Sequence, residues 1–338
     1  MKSALKISFA YLAAVIGAGF ASGSEISHYF VRYGKSSAIG VLISSLGFGL
    51  FAFLVINRCK YYKISDFSSL VKKIVPSPLQ KYIHAVISLF MAIVLGSMIS
   101  AFSLLLNDMT GLDTKIGALF FSLVCAFILA LPEKTVINQT GILGMFISVF
   151  LMIMCIYLIN NRCINVFSQK TAMTLSSVNY TSYNIASVCP LLCSASSEIR
   201  NRKSCIYTGI FSFLLIFSAL GIIWCILSVY YGKIDLGTLP MLTIALRQGE
   251  LFYCLYALVI VVSILTSAVA GGFGLLKQIE KINLSHKVKV CIIITVGYFI
   301  SSIGFSNIVS KLYNLTGIMA IILPFCLIIN FTKKGVKR

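Results

Sequence analysis

The sequence predicts an all-α integral membrane protein: ten transmembrane helices in a 5+5 inverted repeat, with helices 1 and 6 broken. Three observations carry that expectation. The 338 residues are 59% hydrophobic and only 11% charged, a balance foreign to soluble globular domains. Apolar runs recur along the whole chain, each near the roughly 20 residues a helix needs to cross a bilayer. The first and sixth runs are interrupted by residues that do not belong in a regular helix.

The runs cover 5–33, 37–57, 82–107, 115–132, 138–159, 180–200, 204–231, 251–277, 288–304 and 307–331. They form one membrane domain over 1–338, with repeat 1 at about 1–160, repeat 2 at about 175–331 and a basic tail at 332–338. The longest connections are 58–81, 160–179 and 232–250. The last contains Thr238 to Leu246, which reads as a short helix lying at the membrane surface.

Loop charges test the count. Net charge is +19, from 28 Lys+Arg against 9 Asp+Glu. In a soluble protein that excess would suggest nucleic acid. Here the basic residues sit in short loops and no nucleic-acid motif occurs, so they orient the chain in a membrane. With the N-terminus inside, ten spans place 20 basic residues in the cytoplasm and 8 outside. Nine or eleven spans would spoil that alternation. The expectation is a multi-pass protein of a bacterial cytoplasmic (inner) membrane with both termini cytoplasmic. The start, Met-Lys-Ser-Ala-Leu-Lys before an apolar stretch, has the form of a signal peptide, but the many runs that follow make it a retained first helix.

Chemistry of other kinds finds no foothold. The 11 cysteines lie mostly inside apolar runs without a Cys-x-x-Cys pair, which favours packing over metal or disulfide. There is no His-Glu-x-x-His and no Gly-x-Ser-x-Gly. Gly34-Lys35-Ser36 resembles the end of a nucleotide loop, but the earlier glycine that loop requires is Tyr29. The chain therefore reads as no enzyme, with no cofactor beyond a coupling ion and no required ATPase subunit.

The first run reads Ala-Val-Ile-Gly-Ala-Gly-Phe-Ala-Ser-Gly-Ser-Glu from Ala14 to Glu25. Unwound backbone is costly in hydrocarbon unless it is buried in protein or lines a cavity. There its freed groups can hold a substrate or an ion. Gly17 and Gly19 let a ligand approach the backbone. A helix restarting near Ser22 would present free N–H groups and a positive dipole end, suited to a carboxylate. The plainer alternative is that these glycines only let helices pack closely.

In the sixth run Pro190 breaks or kinks the helix, and Tyr183, Asn184 and Ser187 stand just before it. Ser22-Gly-Ser-Glu25 is echoed by Ala195-Ser-Ser-Glu198, five spans later and so in opposite orientation. Paired interruptions of this kind point to an inverted repeat and its binding site. Glu25 and Glu198 are the carboxylates nearest the membrane interior and are candidate proton carriers; as wetted helix ends they would instead pair with Arg or Lys. In the eighth run Ser263, Thr266 and Ser267 share one face. Their hydroxyls suit either Na⁺ or interhelical hydrogen bonds.

Three segments together resemble the YkvI-like membrane protein family of the amino acid–polyamine–organocation superfamily, over nearly the whole chain. They are Ile16-Gly-Ala-Gly-Phe-Ala-Ser-Gly-Ser-Glu-Ile, Ser182-Tyr-Asn and Glu198-Ile-Arg-Asn-Arg-Lys. The resemblance implies the leucine-transporter fold, with substrate at the breaks of spans 1 and 6. It assigns a ligand carboxylate to the amides of Ala18, Gly19 and Phe20, beside Gly17 and Ser22. It assigns Na⁺ to the carbonyls of Ala13 and Ile16 with Ser263, Thr266 and Ser267. One departure stands out: span 3 lacks a mid-helix Tyr that closes the site in some relatives, and carries Phe90, Met98 and Phe102 instead. The implied function is secondary active transport of an amino acid or related small zwitterion by alternating access, driven by Na⁺ or H⁺. The implied partners are that solute and the lipid bilayer, with no nucleic acid. A second reading is a ligand-sensing membrane receptor subunit on the same fold, like those of spore germination.

Overall fold

The structure is a computed structural model. It describes residues 1–34, 36–132, 143, 146, 148–158, 173–199, 201–233, 237–280 and 282–335, with backbone alone for 333–335. Its secondary-structure elements are all helical. The first apolar run holds three helices, α1 (Lys2–Val15), α2 (Ala18–Ala21) and α3 (Ser24–Tyr29). Then come α4 (Ser37–Tyr62), α5 (Phe67–Ile74), α6 (Ser77–Thr110), α7 (Thr114–Leu129) and α8 (Ser148–Leu158). The second half holds α9 (Met173–Ala195), α10 (Arg202–Tyr230), α11 (Pro240–Leu246), α12 (Glu250–Gln278) and α13 (His286–Ser301). The last run comprises α14 (Phe305–Asn307), a π turn over Ile308–Leu312, α15 (Tyr313–Ala320) and α16 (Ile322–Gly335).

Among the described residues, five helical stretches are long and apolar enough to cross a membrane: α4, α6, α10, α12 and Phe305–Thr332. α7 and α13 have 16 residues each, short of that length. Of the run expected over 138–159, the continuous described part is α8. Much of the 160–179 connection, the tail beyond 335, and Lys35, Lys134, Arg162, Lys170, Arg200 and Lys281 lie outside the described residues.

Sequence chemistry sets several boundaries. Asp66 caps α5, its carboxylate accepting from the Ser69 amide at 2.8 Å. The Ser69 hydroxyl, together with that amide bond, holds the Asp66 carboxyl below its ordinary range. Asp113 caps α7 in the same way, accepting from Lys115 N–H at 2.7 Å. α6 opens with Pro78 in its first turn, where no N–H is needed, and ends at Gly111 in the left-handed region.

In lipid, helices gain little from apolar burial against one another, so close backbone approach matters more. α4 packs against α9 and α10, and α1 packs against the same two helices. α6 packs against α7, α12 and α13, and α12 against α7 and α13. α4 and α10 meet closely through a pair of glycines. A Cβ built on Gly49 would lie 2.8 Å from the Gly209 carbonyl, and one built on Gly209 would lie 2.9 Å from the Gly49 carbonyl. Each glycine thus makes room for the other's backbone.

Two expectations are corrected. Span 6 is not broken at Pro190; α9 continues through it, from Met173 to Ala195. A proline removes one ladder bond, and a membrane helix tolerates that when neighbours and side chains support it. Here Ser187 donates to the Asn184 carbonyl at 2.7 Å and Asn184 to the Tyr180 carbonyl at 3.0 Å, reinforcing the turns before the proline. The short helix at 240–246 does not lie at a surface either. Pro240, Met241, Leu242, Ile244 and Ala245 are all buried, because α11 is tucked against α3 and α12.

Candidate site at the interrupted first helix

α1 stops at Val15 because its ladder is diverted. Gly17 N–H turns back to the Val15 carbonyl at 2.9 Å, not to Ala13. Gly17 is extended, α2 runs only from Ala18 to Ala21, and Gly23 then adopts φ 77° before α3 begins. A left-handed residue there favours glycine. The amides of Ala18, Gly19 and Phe20 open α2, where a helix supplies no acceptor of its own. The helix restarts at Ala18 and again at Ser24, either side of the expected Ser22.

Neighbouring helices fasten this segment. Tyr256 of α12 donates to the Ala21 carbonyl at 2.8 Å. Met241 N–H of α11 donates to the Ser22 carbonyl at 2.8 Å. Ser176 of α9 donates to the Tyr29 carbonyl at 2.8 Å. Ala18, Phe20 and Ser22 are fully buried.

Glu25, on α3, folds back over the break. It is 5% exposed. Its Oε2 accepts from the Tyr183 hydroxyl of α9 at 3.0 Å. Its Cγ and Cδ lie 2.7 Å from where a Cβ on Gly19 would sit, so Gly19 is the residue that admits this carboxylate. Among the described residues the ion pair found is Lys6–Glu198, so no Lys or Arg pairs with Glu25.

A cluster of rings surrounds Tyr183. Its ring centroid lies 5.7 Å from Tyr29, 5.6 Å from Tyr180, 5.3 Å from Phe90 and 5.2 Å from Tyr313. All five are buried. Tyr313 is fixed by a 2.6 Å hydrogen bond between its hydroxyl and that of Ser97 on α6. Tyr313, from the last run, is thus seated on α6. Phe90 joins the cluster, whereas Phe102 stacks on Phe121 at 4.4 Å.

The structure brings Tyr183 to Glu25, but Asn184 and Ser187 spend their hydrogen bonds on their own helix. Glu198 lies elsewhere: half exposed and paired with Lys6 at 3.0 Å, beyond the end of α9. Opposite the break, Ser267 Oγ lies 3.1 Å from where a Cβ on Gly17 would sit. Thr266 donates to the Ser263 carbonyl at 3.1 Å, while the buried Ser263 Oγ has no hydrogen-bond partner. The diverted ladder also frees the Ala13 carbonyl.

The sequence reading missed the ring cluster. Its signal was the pair Tyr180 and Tyr183, three apart on one face of α9. The contributions of Tyr29 and Tyr313 come from distant parts of the chain and leave no local pattern.

No model of a known protein family matches the chain. Two proteins of Bacillus subtilis (strain 168) are similar over nearly their whole lengths. Uncharacterized membrane protein YkvI is 22% identical, with 94% of this chain and 93% of that protein covered. Uncharacterized protein YyaD is 23% identical, with 97% of each covered. Among solved structures, the fold is similar to Mhp1, a nucleobase-cation-symport-1 family transporter in a closed conformation with bromovinylhydantoin bound. The TM-score is 0.67 at 12% identity, over 93% of this chain and 74% of Mhp1. It is also similar to the Eremococcus coleocola manganese transporter, with TM-score 0.61 at 13% identity, over 95% of this chain and 78% of that one.

Proposed function

We propose that this multi-pass membrane protein is a secondary active transporter. It moves an amino acid or a related small zwitterion by alternating access, coupled to Na⁺ or H⁺. The observation that carries the proposal is the interruption at Val15–Ser24: buried, pinned by α11 and α12, and opening a short helix whose first amides have no intrahelical acceptor, beside an intramembrane carboxylate. The fold shared with two transporters supports it.

In this reading the ten spans form a five-plus-five inverted repeat of the leucine-transporter type. The packing supports it: α1 on α10 mirrors α4 on α9, α6 on α13 mirrors α7 on α12, and Gly49 and Gly209 meet reciprocally. Gly17 through Phe20, with Ser22 and Tyr183, face the solute; Asn184 and Ser187 shape the helix behind it. The Na⁺ candidates are the carbonyls of Ala13 and Ile16 with Ser263, Thr266 and Ser267. The buried Ser263 hydroxyl, without a hydrogen-bond partner among the described residues, supports a cation-ligating role, because a buried polar group costs free energy unless bonded. Glu25 is the favoured proton carrier; the exposed, ion-paired Glu198 is the weaker one.

Counterflow tests alternating access without knowledge of the coupling ion. Proteoliposomes preloaded with a millimolar unlabelled amino acid mixture take up trace labelled amino acids if the site alternates. Ligand binding without counterflow would reject transport and favour a sensor.

A further inference from the structure

Glu25 raises a problem of charge. It is buried inside a membrane protein with one hydrogen bond, from Tyr183, and no basic partner among the described residues. Buried carboxylates are ordinarily paired. Its position at Gly19 also sets what can bind there. A ligand carboxylate placed on the Gly19 amide would meet a second carboxylate in the same low-dielectric space, and two like charges in contact repel strongly there.

The rings supply the second half of the argument. Tyr183, the donor to Glu25, is packed among Tyr29, Tyr180, Phe90 and Tyr313. Aromatic faces attract cations through their quadrupole, most strongly when water is excluded. A carboxylate joined to such a cluster is complementary to one ligand chemistry: a positively charged nitrogen carrying an apolar body.

We infer that Glu25 and the rings around Tyr183 hold the cationic nitrogen of the ligand, so that an amine is recognised at the break even without a carboxylate. This rests on the reading of the break as the ligand site and names the group that is bound there. The ligand ammonium replaces the missing basic partner of Glu25, while its apolar part lies against Phe90 and Tyr313.

The test uses purified full-length protein in sodium-free potassium buffer, with the thermal midpoint as readout. Two matched sets are titrated: leucine, isoamylamine and 4-methylpentanoate; phenylalanine, phenethylamine and 3-phenylpropionate. The expected result is that at least one amine raises the midpoint at a concentration about tenfold or more below its matched carboxylate, a difference of about 1.4 kcal/mol. Glu25→Gln, which keeps the shape and can still accept from Tyr183, loses that response. The inference is overturned if neither amine shifts the wild-type midpoint at a lower concentration than its matched carboxylate, or if folded Glu25→Gln responds as wild type does. The wild-type comparison decides the matter should Glu25→Gln fail to fold. Amine binding with no counterflow of that amine in proteoliposomes would remove transport and leave this inference standing.

Discussion

The Tyr183 hydroxyl donates to the Glu25 carboxylate at 3.0 Å, joining the two interrupted-run candidates, spans 1 and 6, at one buried point. That bond sets the first prediction. Tyr183→Phe leaves the carboxylate without its donor and should destabilise the protein by about 1–3 kcal/mol. Glu25→Gln keeps an acceptor for the hydroxyl and removes an uncompensated charge, so it should cost less. Midpoints of the two variants in sodium-free buffer, without ligand, check the order. If Glu25→Gln is the more damaging change, Glu25 has a structural partner not accounted for here.

Gly19 should be intolerant of bulk because of Glu25, not of packing in general. Gly19→Ala places a methyl into the space of the Glu25 side chain. The variant should lose about 1–3 kcal/mol, in the range of overpacked cores. Glu25→Ala in the same chain makes room, and should recover a good part of that loss. Gly221→Ala is the control, since nothing lies within 4 Å of a Cβ there. Additive losses in the Gly19/Glu25 pair would separate the two residues.

Sodium coupling, if present, lies on α12. Thr266→Ala with Ser267→Ala removes two oxygens and little volume. A cation present at 100 times its dissociation constant stabilises by about 2.7 kcal/mol, and the double variant should lose that increment. Ser263→Ala should be neutral or slightly stabilising without Na⁺, because it deletes an unsatisfied buried hydroxyl. A wild type indifferent to Na⁺ would transfer the coupling to protons and to Glu25.

The α5 cap gives a pH signature outside the membrane. Bonding to Ser69 lowers the Asp66 pKa in the folded state. A depressed folded pKa means the contribution is fully present above the ordinary aspartate range. It is lost as pH falls through the lowered value. The Asp66 carboxylate is largely solvent-exposed, so the effect is local. Hydrogen exchange at the Ser69 amide, corrected for intrinsic rate, should accelerate as pH drops below the aspartate range. It should be fast at all pH in Asp66→Ala.

Much of the architecture was legible because apolar runs and punctuation are local properties. Gly17, Gly19 and Gly23 announced the interruption of the first run; α1, α2 and α3 divide at Gly17 and Gly23, with Gly19 inside α2. Pro190 misled, because a single missing N–H is less disruptive than a run of glycines when neighbouring turns stay intact. Thr238–Leu246 misled in another way: a short apolar helix looks the same on paper whether it rests on a membrane or fills a gap above α3. Glu25 was singled out as an intramembrane acid, but its contact with Gly19 depends on the chain turning at Gly23. The ring cluster needed four separate helices and so had no sequence signature beyond Tyr180 and Tyr183.

The most direct test of secondary transport is accumulation against a gradient. Proteoliposomes receive labelled leucine, phenylalanine, isoamylamine and phenethylamine under an inward Na⁺ gradient, an inward H⁺ gradient, or neither. The account predicts that at least one solute rises inside above its outside concentration under one gradient. The accumulation should collapse with the matching ionophore and be absent in Gly19→Val protein that inserts normally. Solutes that only equilibrate, or that bind without entering under either gradient, would contradict it.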